Sequence, residues 1–169
     1  MEPKVSIIMG STTDLPVMEE AAKVLNELRI PFEINALSAH RVPELVADFA
    51  TNAFSRGIRV IIAGASGAAH LPGVVAAFTA LPVIGVPLRS AISIEGIDSL
   101  LSIAQMPPGV PVATVGIDAA RNAGILAAQI LASGNPEMMQ QMLDFKESLK
   151  KKIIQANQEL SKISYEYKV

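Results

Sequence analysis

Two histidines, His40 and His70, are the only ones among 169 residues, and each lies in a segment of unusual composition. His40 precedes Arg41 in the histidine–arginine segment, residues 38–43. An imidazole can take and return a proton near neutral pH, and a guanidinium offers fixed N–H donors to a phosphate or carboxylate. The pair therefore indicates proton transfer on a bound anion, although a solvated surface pair has the same sequence.

A second polar stretch, the hydroxyl segment of residues 10–14, carries Ser11, two threonines and Asp14 just before a helix with Pro16 in its first turn. Backbone N–H groups at a helix start suit a phosphate. The spacing matches neither a dinucleotide-binding loop nor a P-loop, so neither NAD nor ATP is expected. Asp14 would repel a phosphate, so it either caps the helix or accepts hydrogen bonds from sugar hydroxyls.

His70 lies in the small-residue segment, residues 63–73, which consists almost entirely of Gly, Ala and Ser. Small residues let the backbone approach a ligand closely, but they are equally typical of tight helix-on-sheet packing. Two histidines without a suitably spaced carboxylate cluster predict no metal site. Ser66 lies outside any Gly-x-Ser-x-Gly elbow, which argues against hydrolase chemistry. Proton transfer on a phosphorylated small molecule is the favoured chemistry.

The amino-acid composition limits which chemistry and which kinds of binding partner are expected. The absence of cysteine excludes thiol chemistry, and a net charge of −2 argues against nucleic acid or an anionic membrane as partner. Only 18% of residues are charged, so we expect apolar surface to be buried in a homo-oligomer. The charge-free run 60–88 contains prolines and glycines and does not read as a membrane span. With no signal peptide apparent, a cytoplasmic protein is expected.

The polar segments need a scaffold, and apolar runs of strand length alternate with helix-period runs along the chain. The predicted strands cover residues 5–9, 32–37, 60–63, 83–86 and 112–115, and the predicted helices cover 16–28, 43–54, 73–80, 97–104 and 119–131. Continuously apolar strands are typical of a parallel sheet covered on both faces. The prediction is a three-layer α/β sandwich, in which the polar segments follow strands and meet at their carboxyl ends.

The C-terminal part has a different pattern. Gly134 and the Asn135-Pro136 pair predict a helix stop, after which residues 137–162 carry apolar side chains at near-helical spacing with lysines at 150–152. We expect a domain of residues 1–133 and a helical extension of residues 134–169. The extension would pack on that domain or on a neighbouring subunit, with a membrane-surface helix as the minor alternative.

Read in order, these segments resemble the class I N5-carboxyaminoimidazole ribonucleotide mutases of purine biosynthesis. The resemblance spans about residues 5–133 and rests on Gly10-Ser11 with Asp14, Ser38-Ala39-His40-Arg41, Gly67-Ala68-Ala69-His70-Leu71-Pro72-Gly73, Asp98-Ser99-Leu100, and Gln105-Met106-Pro107 through Val110-Pro111-Val112. It implies a flavodoxin-like fold, a homo-octamer, a nucleotide substrate, no metal or organic cofactor, and a functional link to an ATP-dependent synthetase that supplies the substrate.

The resemblance also implies residue roles. His40 would shuttle protons while carbon dioxide is held in the site, after it leaves the exocyclic nitrogen and before the ring carbon attacks it. Arg41 would bind the phosphate and Asp14 the ribose. The remaining residues expected to bind substrate are Ser11, Ser38, Ala65, Gly67, Ala68, His70 and Leu71. The small-residue segment, with His70 in it, would then form a dry wall around the carbon dioxide.

Some positions depart from the family's usual residues, and all lie near the expected site: Thr12, Thr13, Leu15, Val42, Ser66, Leu88 and Arg89. Two alternatives stay open. A class II aminoimidazole ribonucleotide carboxylase uses carbon dioxide directly on the same fold, although the small-residue segment resembles class I. A non-catalytic nucleotide-binding module would share the fold but would tolerate loss of the His40 imidazole.

Overall fold

The computed structural model describes residues 2–169. The elements in chain order are β1 (Val5–Met9), α1 (Leu15–Glu27), β2 (Phe32–Ala36), α2 (Pro43–Asn52), β3 (Val60–Ser66), α3 (Leu71–Phe78), β4 (Val83–Leu88), α4 (Ile97–Ala104), β5 (Ala113–Thr114), α5 (Ala120–Ala132) and α6 (Pro136–Ser161). The strands form one parallel sheet in the order β2-β1-β3-β4-β5. The flavodoxin-like α/β prediction is confirmed.

Helices cover the sheet on both faces. On one face Ile8, Ala63 and Val83 pack in a buried cluster with residues of α2, α3 and α4. On the other face, α1 approaches so closely that a Cβ at Gly64 would meet the Met18 thioether. Every residue of β1 and β4 is buried, which explains why their sequences, apart from Ser6, carry no polar side chain and do not alternate.

Two boundaries differ from the sequence prediction at the place that matters for the site. β3 continues to Ser66 instead of ending at Ala63, because its pairing with β4 extends through Ser66 and Leu88. α3 begins at Leu71, two residues earlier than predicted, and takes Pro72 into its first turn. Small residues such as Ala and Gly give no periodic signal, so the sequence alone places Ala65 in a loop when it lies in a strand.

The chain divides into two compact units, residues 1–131 and 132–169. In the second unit, Asn135 caps α6 by accepting hydrogen bonds from the backbone N–H groups of Glu137 (3.0 Å) and Met138 (3.1 Å). The packing of this helix on the domain or on a neighbouring subunit stays a prediction. Among residues 2–169, no helix has the length and apolar character needed to cross a membrane.

Candidate active site

A cavity of about 470 Å³ lies where β1, β2 and β3 end. Most of its lining comes from the three segments that the sequence singles out. The lining residues are Gly10, Ser11, Thr13, Asp14, Ser38, Ala39, His40, Arg41, Ala65, Ser66, Ala69, His70, Leu71 and Ile92. In a parallel α/β sheet, the carboxyl ends of the strands are where ligands bind.

The two histidines meet directly in this cavity. His40 Nε2 lies 2.7 Å from His70 Nδ1, and the two rings are nearly perpendicular, at 88°, with their centroids 4.9 Å apart. At this distance one nitrogen carries the proton and the other accepts it. The contact therefore gives a proton a direct path between the two rings.

Arg41 joins the ends of two neighbouring strands. Its Nη2 donates to the Gly10 carbonyl oxygen at 2.7 Å, and its Nε donates to Ser38 Oγ at 3.2 Å. Two of the five N–H donors of the guanidinium are thereby used for positioning. The donors on Nη1 and the second on Nη2 remain to face a ligand, which suits a phosphate.

Asp14 does not act as a helix cap. It precedes α1, but its side chain makes no capping hydrogen bond, whereas Ser11 Oγ accepts from the Thr13 N–H at 3.3 Å. Partial burial raises the pKa of the Asp14 carboxyl, and a hydrogen bond with the Ser11 backbone opposes that rise. The carboxylate is therefore an acceptor that donors of a ligand, such as sugar hydroxyls, can satisfy.

The turn that connects β3 to α3 is held by hydrogen bonds from serine side chains of α4. Gly67 and Ala69 have positive φ angles of 62° and 50°. The Ser99 hydroxyl of α4 shares its one proton between the Leu88 carbonyl (3.1 Å) and the Gly67 carbonyl (3.4 Å), and the Ser102 hydroxyl donates to the Ala68 carbonyl (2.5 Å). These bonds fix the turn so that its next residues, Ala69 and His70, face the cavity.

The structure brings together most of the predicted site residues. Those that line the cavity are Ser11, Asp14, Ser38, His40, Arg41, Ala65, His70 and Leu71. Gly67 and Ala68 do not line it; their carbonyl groups are the anchor points just described. Their contribution is therefore to shape the turn, for which Gly67 supplies the required positive φ.

Ile92 is the lining residue that the sequence analysis missed. It belongs to the β4–α4 segment, residues 89–96, and 86% of its surface is exposed. A first side-chain carbon at Gly67 would lie 3.6 Å from Ile92 Cδ1, so Ile92 extends over the β3–α3 turn. An apolar residue in a loop carries no chemical signal; only its place after the carboxyl end of β4 could have indicated it.

A larger concavity, about 700 Å³, lies at the opposite end of the sheet and includes Pro3 and Pro31, which precede β1 and β2. It contains neither histidine, and its carboxylate, Glu33, is already bound by Arg56 and Ser6. The smaller cavity is thus the better candidate. Among residues 2–169, no three His, Asp or Glu side chains gather so that they could hold a metal ion.

Comparison with known proteins supports the same assignment. A model of the AIR carboxylase family matches residues 4–152. The N5-carboxyaminoimidazole ribonucleotide mutase of Thermotoga maritima is 55% identical over 96% of this chain and 95% of its own, and that of Pyrococcus abyssi is 58% identical over 88% and 85%. A crystal structure of Treponema denticola PurE2-S38D superposes with a TM-score of 0.82 at 28% identity, covering 95% of this chain and 99% of that one. The chain belongs to the AIR carboxylase family.

Proposed function

We propose that this protein is an N5-carboxyaminoimidazole ribonucleotide mutase, an isomerase of purine biosynthesis whose product is 4-carboxy-5-aminoimidazole ribonucleotide. The observation that carries the proposal is the meeting of His40, Arg41 and Asp14 around one cavity at the strand ends. Relatives that are 55% and 58% identical over most of the chain bear the mutase name, which supports this choice of reaction.

The cavity offers each part of a nucleotide a partner. The free N–H donors of Arg41 and the N-terminal end of the adjoining helix α1 suit the phosphate. Asp14 is placed to accept hydrogen bonds from the ribose hydroxyls. The imidazole ring of the substrate would then face His40, whose Nε2 is held by His70.

The proposed reaction balances with one proton taken up and one released. The bond between the exocyclic nitrogen and its carboxylate breaks, carbon dioxide leaves, and a proton from His40 is added to the nitrogen. The ring carbon C4 then attacks the carbon dioxide, and the proton displaced from C4 returns to His40. No net oxidation occurs, so the proposed reaction requires no redox cofactor, and a side chain that can give and take one proton suffices.

Carbon dioxide is small and apolar, and it must not meet water between the two steps. Ala65, Ala69 and Leu71 contribute apolar surface to the cavity, and His70 lies beside them. Ala65 and Ala69 are themselves buried, at 7% and 5% exposure, so this wall is part of the fold's packed interior. We assign the wall to retention of carbon dioxide.

The test supplies purified protein with N5-carboxyaminoimidazole ribonucleotide in bicarbonate-free buffer and follows the 4-carboxy product. Aminoimidazole ribonucleotide plus bicarbonate serves as the parallel substrate pair, and His40→Asn is run beside wild type. Rapid conversion of the first substrate by wild type, and its loss in the variant, is the expected result. Turnover of the second pair alone would reassign the protein to the class II carboxylases. Nucleotide binding without either turnover would leave a binding module.

The same proposal includes a homo-octamer that acts in the cytoplasm and receives its unstable substrate from an ATP-dependent synthetase. Large apolar side chains such as Phe54, Leu45 and Phe78 are 62%, 53% and 49% exposed, which gives an oligomer surface to cover. Light scattering on the purified protein should give eight times the 17.8 kDa chain mass. A monomer mass at micromolar concentration would contradict this part of the proposal.

A further inference from the structure

We propose that Ile92 covers the carbon dioxide in the active site, and that Arg89 is the positioning residue that holds Ile92 there. The inference rests on the proposed mutase function. It adds two residues of the β4–α4 segment to the reaction: Ile92, which lines the cavity, and Arg89, which acts by holding Ile92 in place.

The first observation is where Ile92 comes from. Of the described residues that line the cavity, all others belong to β3, α3 or the connections that follow β1, β2 and β3. Ile92 alone reaches in from beyond β4, and it does so across Gly67 at the tip of the β3–α3 turn. It thus adds apolar surface from outside the wall that Ala65 and Ala69 form.

The second observation is how Arg89 ties the segment down. Its backbone N–H donates to Asp118 Oδ1 at 3.0 Å, and its Nη1 lies 3.6 Å from Asp118 Oδ2. Its Nε donates to the Glu95 carbonyl at 3.4 Å and lies 3.8 Å from the Glu95 carboxylate. Arg89 therefore links the two ends of the segment to each other and to the residues after β5.

The segment also has internal bonds that limit its conformations. The Ser93 hydroxyl accepts from the Ser90 N–H at 2.9 Å, and Asp98 Oδ1 accepts from the Ile94 N–H at 3.1 Å. Glu95 and Gly96, with φ angles of 52° and 80°, turn the chain into α4. Ile92 is thus presented by a braced turn, and its neighbour Ile94, 72% exposed, does not line the cavity.

The chemistry needs such a cover. Between cleavage of the nitrogen–carbon bond and formation of the carbon–carbon bond, carbon dioxide has no covalent partner, and an opening to solvent lets it exchange with dissolved bicarbonate. The Ile92 side chain lines the cavity and is 86% exposed, so it is free to lie over a bound ligand, and it offers water no hydrogen bond. A serine at position 92 is shorter and polar, so it admits water and lets carbon dioxide escape.

The experiment measures exchange in a single turnover with enzyme in excess, so that unbound substrate does not decay first. Unlabelled N5-carboxyaminoimidazole ribonucleotide is mixed with the full-length protein in buffer that contains ¹³C-bicarbonate and carbonic anhydrase. Mass spectrometry then gives the ¹³C fraction of the product carboxylate. Ile94→Ser is the matched control, because it makes the same change on the same segment away from the cavity.

We expect Ile92→Ser to raise the ¹³C fraction about threefold or more over wild type, and Ile94→Ser to leave it unchanged. Arg89→Gln should also raise it, and Arg89→Lys should restore part of the retention. A smaller rise for Ile92→Ala keeps the test usable if the serine variant folds poorly. Equal labelling in wild type and Ile92→Ser, or equal rises at positions 92 and 94, would overturn the inference. Failure of wild type to convert the substrate at all would instead refute the proposed function.

Discussion

Replacement of Arg41 by lysine tests the assignment of the phosphate site. The guanidinium uses Nη2 and Nε to hold the Gly10 carbonyl and Ser38 Oγ, and it still keeps N–H donors for a ligand. A lysine retains the positive charge but presents one ammonium group on a flexible stem. It cannot bind two protein acceptors and a phosphate in the same fixed geometry.

The size of the effect follows from the lost contacts. A hydrogen bond to a charged group contributes about 1.5–3 kcal/mol, and each 1.4 kcal/mol is tenfold in affinity, so loss of one such bond weakens binding by about 10- to 100-fold. The phosphate does not take part in the bond changes. Arg41→Lys should therefore raise KM by that factor and leave kcat within a few-fold of wild type.

Steady-state kinetics with N5-carboxyaminoimidazole ribonucleotide separates the two parameters. Arg56→Lys is the matched control, because Arg56 is engaged by Glu33 at 3.0 Å, away from the cavity, and should leave both parameters unchanged. A normal KM in Arg41→Lys would refute the phosphate assignment. A large loss of kcat at unchanged KM would instead place Arg41 in the chemical step.

Three further outcomes are expected. His40→Asn should lower kcat by about 10²–10⁴-fold, as loss of an acid–base group does, while isothermal titration still detects product binding. Asp14→Asn should raise KM, and it should also raise Tm at pH 7. Folding raises the pKa of the Asp14 carboxyl, so wild type has the stability of the protonated form at low pH and loses it as the pH rises through the folded pKa. The gain in Tm of the variant over wild type should therefore vanish in acid. Gly85→Ala should cost about 1–3 kcal/mol in urea unfolding, since its Cβ would overlap Ile103 and approach Val112, whereas Gly134→Ala, with open space around it, should not.

The sequence was sufficient for the three central strands, β1, β3 and β4, because they are buried on both faces. The run Val83 to Leu88 has no polar residue, and all six of its residues are buried in the structure. The prediction was weakest at β5, which is reduced to Ala113–Thr114. Edge pairing depends on how far the neighbouring strand extends, and Ala113 and Thr114 pair only with Ile84 and Gly85, which the local sequence does not specify.

The site was predictable as a set of segments, but less so as a set of side chains. Polar residues that follow neighbouring parallel strands had to meet at one sheet edge, and this brought His40 and Asp14 into one cavity. The direct bond between His40 and His70 could not be predicted, since it depends on ring orientations across thirty residues. Ile92 was missed because its place at the cavity depends on how its segment is held, which includes the contacts between Arg89 and Asp118.

The order of the strands explains why these distant segments converge. In the order β2-β1-β3, the chain leaves β1 and β3 toward opposite faces of the sheet. Helix α1 packs through Met18 on the face to which Gly64 points, whereas α3 packs through Pro72 on the face to which Gly85 points. These faces are opposite, because Gly85 pairs in register with Ala63, and Ala63 and Gly64 are consecutive residues of β3. A crevice therefore opens between the ends of β1 and β3, as at any such switch point. The segment after β2 closes it from the side, with Arg41 anchored on the β1 end and His40 reaching His70 beyond β3. His40, the proposed proton-transfer group, is thus carried by a segment that contacts both walls of the crevice.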